Sequence, residues 1–180
     1  MLATQQGGPP FLGVAKLINL GADVNLQDSD GNTALIWAVS FFRTWEGIRP
    51  VVSLLLASGA DPNIRNNRLN VPLLTAAEHS RGAGLIDALV EKGANVNAHD
   101  DERRTALMNA AKYGCRDNVD RLLDHGADIN AQSKSGMTAL HLAVRNLDLA
   151  SQSVHREMHL YLVDKGADTL IRDKNGAIHY

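Results

Sequence analysis

The sequence predicts an all-α solenoid in which each stacked unit is a polar finger followed by two antiparallel helices. Three observations predict it. A five-residue phrase recurs as GADVN at 21–25, GADPN at 59–63, GANVN at 93–97, GADIN at 126–130 and GADTL at 166–170. Its glycines stand 38, 34, 33 and 40 residues apart. A second phrase begins 12 residues after each of the first four glycines, as TALIWA at 33–38, VPLLTA at 71–76, TALMNA at 105–110 and TALHLA at 138–143. Thirdly, apolar runs at helical spacing precede the glycines, as in Leu85-Ile86-x-Ala88-Leu89-Val90. Phrases locked together in a unit near 33 residues specify a stack whose members bury their apolar faces against one another.

Taken in order, residues 1–11 read as a disordered tail, because Gly7-Gly8-Pro9-Pro10 opposes a helix and little apolar surface is present. Leu12, Val14, Ala15, Leu17 and Ile18 then form an apolar stripe. This is the second helix of a unit whose first helix is absent, ended by Gly21 in the left-handed conformation. Such a half repeat leaves an apolar face open, so a longer array or a covering partner is expected there. Thr33, Thr105 and Thr138 each stand where a first helix begins and a hydroxyl can accept a backbone N–H. At the equivalent place Val71 is followed by Pro72, which a first turn tolerates. Leu107, Ala110 and Ala111 fall at i, i+3 and i+4 and should be buried. Second helices carry Val51-Val52-x-Leu54-Leu55-Leu56, Leu85 to Val90, and Val119-x-x-Leu122-Leu123, closed by Gly59, Gly93, Gly126 and Gly166. The stretches after those glycines, such as DINAQSKSG at 128–136, are polar and turn-rich, as projecting fingers require.

These phrases resemble the ankyrin repeat, whose outline runs D-x-x-G-x-T-P-L-H-x-A-A, a short loop, then V-V-x-L-L-L-x-x-G-A-D-V-N. The resemblance spans residues 12–180 with five copies in register. It implies a repeat domain of β-hairpin fingers, each followed by two antiparallel helices. The expected division is a partial repeat at 12–30, repeats at 31–68, 69–103, 104–135 and 136–175, and the start of another at 176–180. His141 matches the histidine of TPLH, whose ring bonds neighbouring hairpin backbone. Asn25, Asn63, Asn97 and Asn130 are expected to bond finger backbone; in animal members such asparagines can also be hydroxylated.

Departures from the outline are informative. The family spacer between the helices is six residues, whereas here it is 11 (Ser40–Pro50), 7 (Glu78–Gly84), 6 (Lys112–Asp117) and 13 (Arg145–Glu157). Two long loop insertions between helices are therefore expected. Leu69 and Arg103 replace the glycine seen at 31, 136 and 176, which predicts that those fingers turn differently. The insert SFFRTWEGIRP holds Phe41, Phe42 and Trp45 within five positions, flanked by Arg43 and Arg49. Exposed aromatics with arginines mark interaction sites, so a second contact region is expected here; the alternative is that one of the three packs beneath the loop and extends the core made by Trp37.

Composition sets further bounds. The 180 residues are 44% hydrophobic but only 4% aromatic, so one domain with a core of Leu, Ala and Val is expected. A formal charge of −2 gives no electrostatic basis for nucleic-acid binding. No apolar run reaches the ~18 residues of a membrane span, and the lone Cys115 cannot form an internal disulfide and fits a reducing, cytoplasmic or otherwise intracellular setting.

Candidate chemistry is thin. His155 and His159 stand at i,i+4, with His141 upstream, but HREMH lacks the Glu directly after the first His that a zinc protease helix needs. Surface histidines are the simpler reading. DSDGN at 28–32 hints at a calcium loop, yet that register puts Leu26 and Trp37 where carboxylates are required. Cys115 follows Gly114 at a position where the family often has His, and reads as a replacement rather than a nucleophile. No catalytic residue, cofactor or metal site is expected.

That leaves the surface, which by resemblance meets partners through a concave face of finger tips and first helices. Carried over by position, the finger residues are Ser29, Asp30, Asn32, Asn67, Arg68, Asn70, Asp101, Glu102, Arg104, Lys134, Ser135 and Met137. The helix ends add Ser40, Phe41, Glu78, His79, Lys112, Tyr113, Arg145 and Asn146. Mixed charge at these positions suits a protein or peptide partner, with no nucleic acid or membrane, and a monomer is expected in the partner's absence. The principal expectation is a non-enzymatic protein-interaction module. The alternative is a recognition segment of a larger enzyme or effector, which the ragged ends of the array favour.

Overall fold

The computed structural model describes residues 9–41, 45–145 and 152–178, and within helices the side chains at 9–10, 41, 45–47, 145 and 152–156 lie outside the description. Most of the expected tail, residues 1–8, also lies outside it. Nine helices occur among the described residues: α1 Pro9–Asn19, α2 Ala34–Phe41, α3 Trp45–Ala57, α4 Pro72–Ala77, α5 Ala83–Glu91, α6 Ala106–Lys112, α7 Arg116–Asp124, α8 Ala139–Arg145 and α9 Gln152–Asp164. Helix α1 starts at Pro9, inside the stretch expected to be tail. Prolines are tolerated in a first turn because its N–H groups have no intrahelical acceptor.

The helices form two rows. First helices α2, α4, α6 and α8 pack successively on one another, and α1, α3, α5 and α7 do the same behind them. The inner row can close tightly because each copy of the second phrase supplies a large residue and a small one. Leu35, Leu73, Leu107 and Leu140 are at most 1% exposed, while Ala38, Ala76, Ala110 and Ala143 are buried beside them. Each such leucine contributes roughly 1.5–3 kcal/mol by leaving water. In the outer row Leu55, Leu89, Leu122 and Leu162, four residues before the closing glycine, are equally buried. Each outer helix ends alike: Ala60, Ala94, Ala127 and Ala167 donate to the carbonyls of Leu55, Leu89, Leu122 and Leu162 at 3.0, 3.0, 2.9 and 2.9 Å. The intervening glycines at 59, 93, 126 and 166 have φ between +84° and +93°, as this C-terminal closure requires.

Capping follows the expected threonines in two cases and differs in the third. Thr33 and Thr105 accept from the N–H of Ile36 and Met108 at 3.3 and 3.4 Å. Thr138 instead meets the His141 ring, with Oγ1 2.9 Å from Nδ1. The Thr138 backbone N–H also donates to Nδ1 at 3.3 Å, which leaves Nε2–H to donate to the Ala177 carbonyl at 3.3 Å. His141 thus ties the fourth helix pair to the following finger. Val71 makes no side-chain cap, and Pro72 opens α4.

The described parts of both inserts are helical, where long loops were expected; residues 42–44 and 146–151 lie outside the description. Ser40 and Phe41 finish α2, and Trp45 to Pro50 open α3. Arg145 ends α8, and Gln152 to Glu157 open α9. Helices α3 and α9 thereby reach 13 residues against 9 in α5 and α7. The physical reason at α3 is Ile48, only 2% exposed and four residues before the equally buried Val52, which extends the apolar stripe by one turn. That gain offsets Pro50 inside the helix, which lacks the N–H that the Glu46 carbonyl would accept.

Two polar residues occupy core positions of the outer row. Asn118 is 0% exposed and donates to the carbonyls of Ala77 and His79 at 3.0 and 2.7 Å. It satisfies the end of α4, where the chain passes so close that a Cβ on Gly82 would lie 2.1 Å from the Ala76 oxygen. His159 stands where Val52, Ile86 and Val119 stand elsewhere; it is half-buried, and burial lowers its pKa.

The fingers, at 27–33, 65–71, 99–105, 132–138 and 172–178, are tight turns rather than β-ladders. Among the described residues the one bridge pairs His99 with Thr105. A short polar side chain closes each turn from inside. Asp28 Oδ1 accepts from the N–H of Asp30 and Asn32, both at 2.9 Å, and Asn66, Asp100 and Asp173 act likewise. The backbone N–H of Asn32 therefore holds the Asp28 carboxyl below its ordinary pKa, and that of Ala177 does the same for Asp173. The expectation that Leu69 and Arg103 make their fingers turn differently is wrong. They adopt φ of +56° and +58°, the left-handed region of Gly31 and Gly136 at +78°. Their N–H groups also bond the same carbonyl, three residues back, as those glycines do. The internal closure by Asn66 and Asp100 holds a conformation that costs a side-chain-bearing residue about 1–2 kcal/mol.

Neighbouring repeats are joined by the asparagines of the first phrase. Asn63 Nδ2 donates to the Gly93 carbonyl at 2.9 Å, and its Oδ1 accepts from Asn95 N–H at 2.8 Å. Asn25 and Asn97 make the same pair of bonds to the next repeat, and Asn130 accepts from Asp168. Leu170 replaces the asparagine in the last copy and is 75% exposed.

Candidate functional site

Each finger leads directly into a first helix, and several of the residues singled out by position gather where the two meet. The second and third fingers with α4 and α6 enclose a pocket of about 270 Å³. Seven expected residues line it: Arg68, Asn70, Glu78, Asp101, Arg104, Lys112 and Tyr113. Leu74, Asp100 and Asn109 complete the lining and were missed. Asp100 could have been found from its fixed lag after the glycine, since it is the turn-closing residue of its finger. Leu74 and Asn109 occupy unremarkable helix positions and carry no signal of exposure to a groove.

The polar groups of this pocket are largely organised by one another. Arg104 Nε lies 2.7 Å from Asp100 Oδ2, while Asp100 Oδ1 holds the backbone N–H of Glu102 and Arg104. Asn109, 8% exposed, donates to the Leu74 carbonyl at 3.3 Å and to Glu78 Oε1 at 3.1 Å. Burial pushes the Glu78 carboxyl above its ordinary pKa, against the opposing fields of His79, Lys112 and Arg104. Lys112 Nζ sits 4.8 Å from the centre of the Tyr113 ring, itself 46% exposed. Asn70 Nδ2 donates to Thr75 Oγ1 at 3.1 Å.

Other expected residues serve the scaffold. Asn67 donates from Nδ2 to the Ser29 carbonyl and from its backbone to Asp30, so it links two fingers. Asn32 Oδ1 accepts from Asn66 in the same way. The Glu102 carbonyl accepts from Lys134 N–H at 2.8 Å. Met137 is half-buried against the core, and the His79 carbonyl is the acceptor for Asn118. Ser29, Asp30, Lys134 and Ser135 are exposed on the fingers, and Ser40 bonds back to the Ile36 carbonyl. Phe42 and Asn146 lie outside the described residues, as do the side chains of Phe41, Trp45 and Arg145.

Trp37 is not core, contrary to expectation. It is 39% exposed, and its indole Nε1 donates to Asp28 Oδ2 at 2.6 Å. Trp37, Thr75, Asn109 and Leu142 share one position of the second phrase and so form a row along α2, α4, α6 and α8. A Trp bonded to a finger carboxylate extends the face toward the first finger.

A larger groove of about 650 Å³ lies on the other flank of the fingers, lined by His99, Arg103, Arg172 and Lys174 among others. Asn97, Asp128 and Asn130 in its wall are engaged in the bonds between repeats. Cys115 is buried, with Sγ 3.8 Å from the Glu78 carbonyl oxygen, and burial raises its pKa to about 11. Such a thiol stays protonated and unreactive at neutral pH. Among the described residues no three His, Cys, Asp or Glu side chains converge as metal ligands, and no helix is long and apolar enough to cross a membrane.

Comparison with known proteins agrees with the repeat geometry. The family model for ankyrin repeats (3 copies) matches residues 73–173, and the single ankyrin-repeat model matches 30–67. A Danio rerio protein that carries the name of palmitoyltransferase ZDHHC13 is 30% identical over 83% of this chain and 21% of its own length. The ankyrin repeat protein FPV024 of Fowlpox virus (strain NVSL) is 31% identical over 56% of this chain and 16% of its own. A protein named as a serine/threonine-protein kinase in Dictyostelium discoideum is 39% identical over 36% of this chain and 7% of its own. The chain thus spans about a fifth or less of the length of these curated relatives. On the matched family models and the stacked helix pairs, the chain belongs to the ankyrin-repeat family.

Proposed function

We propose that the chain is a non-enzymatic module that binds a partner protein or peptide through its concave face, the junction of fingers and first helices. Ankyrin repeats are in general protein-interaction modules, and that supports the class. The observation that carries the surface is the pocket between the second and third fingers. It collects Arg68, Glu78, Asp101, Arg104, Lys112 and Tyr113 from four elements whose sequence separation reaches 45 residues. Such a concavity, with an exposed tyrosine and arginines, has the composition of a binding hot spot. Trp37 adds an aromatic anchor along the same row. The protonated, buried Cys115 supports the absence of nucleophilic chemistry at that thiol.

The test compares capture by three forms of the protein, read by mass spectrometry and followed by affinity measurement. The double variant Asp101→Arg with Tyr113→Ala should lose the partner that wild type retains. Lys174→Glu, on the other flank, should keep it. Loss by the flank variant alone would place the partner on the larger groove and refute this reading.

A further inference from the structure

We propose that the pocket between the second and third fingers seats a basic side chain, lysine or arginine, of a partner segment, with the Glu78 carboxylate as its counter-charge. The inference rests on the concave-face reading and names the chemistry of its occupant. Glu78 projects from the end of α4 as a half-buried carboxylate. One oxygen is oriented by Asn109, whose own amide is fixed by the Leu74 carbonyl. No cation lies within 4 Å of it among the described residues.

The local cations do not fill this need. Arg104 is committed to Asp100 at 2.7 Å, and Lys112 lies against the Tyr113 ring and hydroxyl. The fields of His79, Lys112 and Arg104 together fall short of the burial penalty, since the Glu78 pKa is raised rather than lowered. A carboxylate that is partly desolvated and held in place, with no cation in contact, interacts more strongly with an incoming cation than a fully hydrated one does. Asp101 stands exposed at the rim and adds a second negative charge on the entry path. The Tyr113 ring offers an apolar wall for the methylene stem of a lysine or for a guanidinium plane. An acidic side chain placed here would face Glu78 and Asp101, Asp100 being already paired with Arg104.

The experiment is an NMR titration of the whole chain with three capped peptides of sequence Gly-Ser-Gly-X-Gly-Ser, X being lysine, norleucine or glutamate. The lysine peptide should produce saturable shifts at the Asn109 side-chain amide and at the backbone amides of Glu78 and Asp101. Glu78→Gln, which keeps size and the Asn109 bond, should weaken that binding at least about tenfold and leave the melting temperature unchanged. Equal shifts from the norleucine peptide, or unaltered binding by the variant, would refute the proposal. Preference for the glutamate peptide at the same amides would refute it while leaving the concave face intact. Shifts confined to Arg103, Arg172 and Lys174 would refute both, as would the absence of binding by all three peptides.

Discussion

Leu17 in α1 and Leu122 in α7 occupy the same place in the repeat, four residues before the closing glycine, yet Leu17 is 60% exposed and Leu122 is 0%. Both helices close alike, with Ala22 N–H on the Leu17 carbonyl at 3.1 Å and Ala127 N–H on the Leu122 carbonyl at 2.9 Å. The difference is the neighbour: α7 packs on the first helix α6, whereas α1 packs on α3 and, among the described residues, on no first helix of its own unit. Local sequence therefore sets the shape of the unit, and adjacent units set the energy of each position.

The largest effect should come from that pair. Leu122→Ala should cost roughly 2–5 kcal/mol, measured by denaturant unfolding, whereas Leu17→Ala should stay within about 0.5 kcal/mol. Equal costs would break the comparison and show that α1 is covered in solution. Next come the asparagines between repeats, which make the same two bonds at both places. Asn25→Ala and Asn97→Ala should each cost roughly 1–2 kcal/mol by the same measurement. A much smaller loss for Asn25 would mean that the fingers, too, feel the open face of α1. The smallest effect should have the opposite sign. Leu69→Gly should raise stability by about 0.5–1 kcal/mol by removing left-handed strain. A loss would show that the Leu69 side chain, 41% exposed, does more packing than its exposure indicates.

The inner leucines and alanines were legible because one phrase recurs at a fixed lag, and so were the glycine closures. The course of the inserts was not, because Ile48 reads as a loop residue until its spacing to Val52 is seen to continue a helix. The turns at Leu69 and Arg103 were not legible from the missing glycine alone. Asn66 and Asp100, three residues earlier, hold the same conformation through the finger amides. Where fingers and first helices meet, residues of the fingers could be carried over by position. Trp37 and Asn109 could not, since an apolar stripe read from sequence does not say which edge of a short helix meets solvent.

The bonds from Asn25, Asn63, Asn97 and Asn130 each fasten one repeat to the next and reach no further. Pulled from its two ends, the protein is a set of similar fastenings in series, so every one bears the full load. Each interface depends on its nearest neighbours alone, and the stack should therefore yield one repeat at a time, giving a sawtooth of small force peaks. Such a stack would extend in steps under load and could re-form from any adjacent pair of repeats left intact.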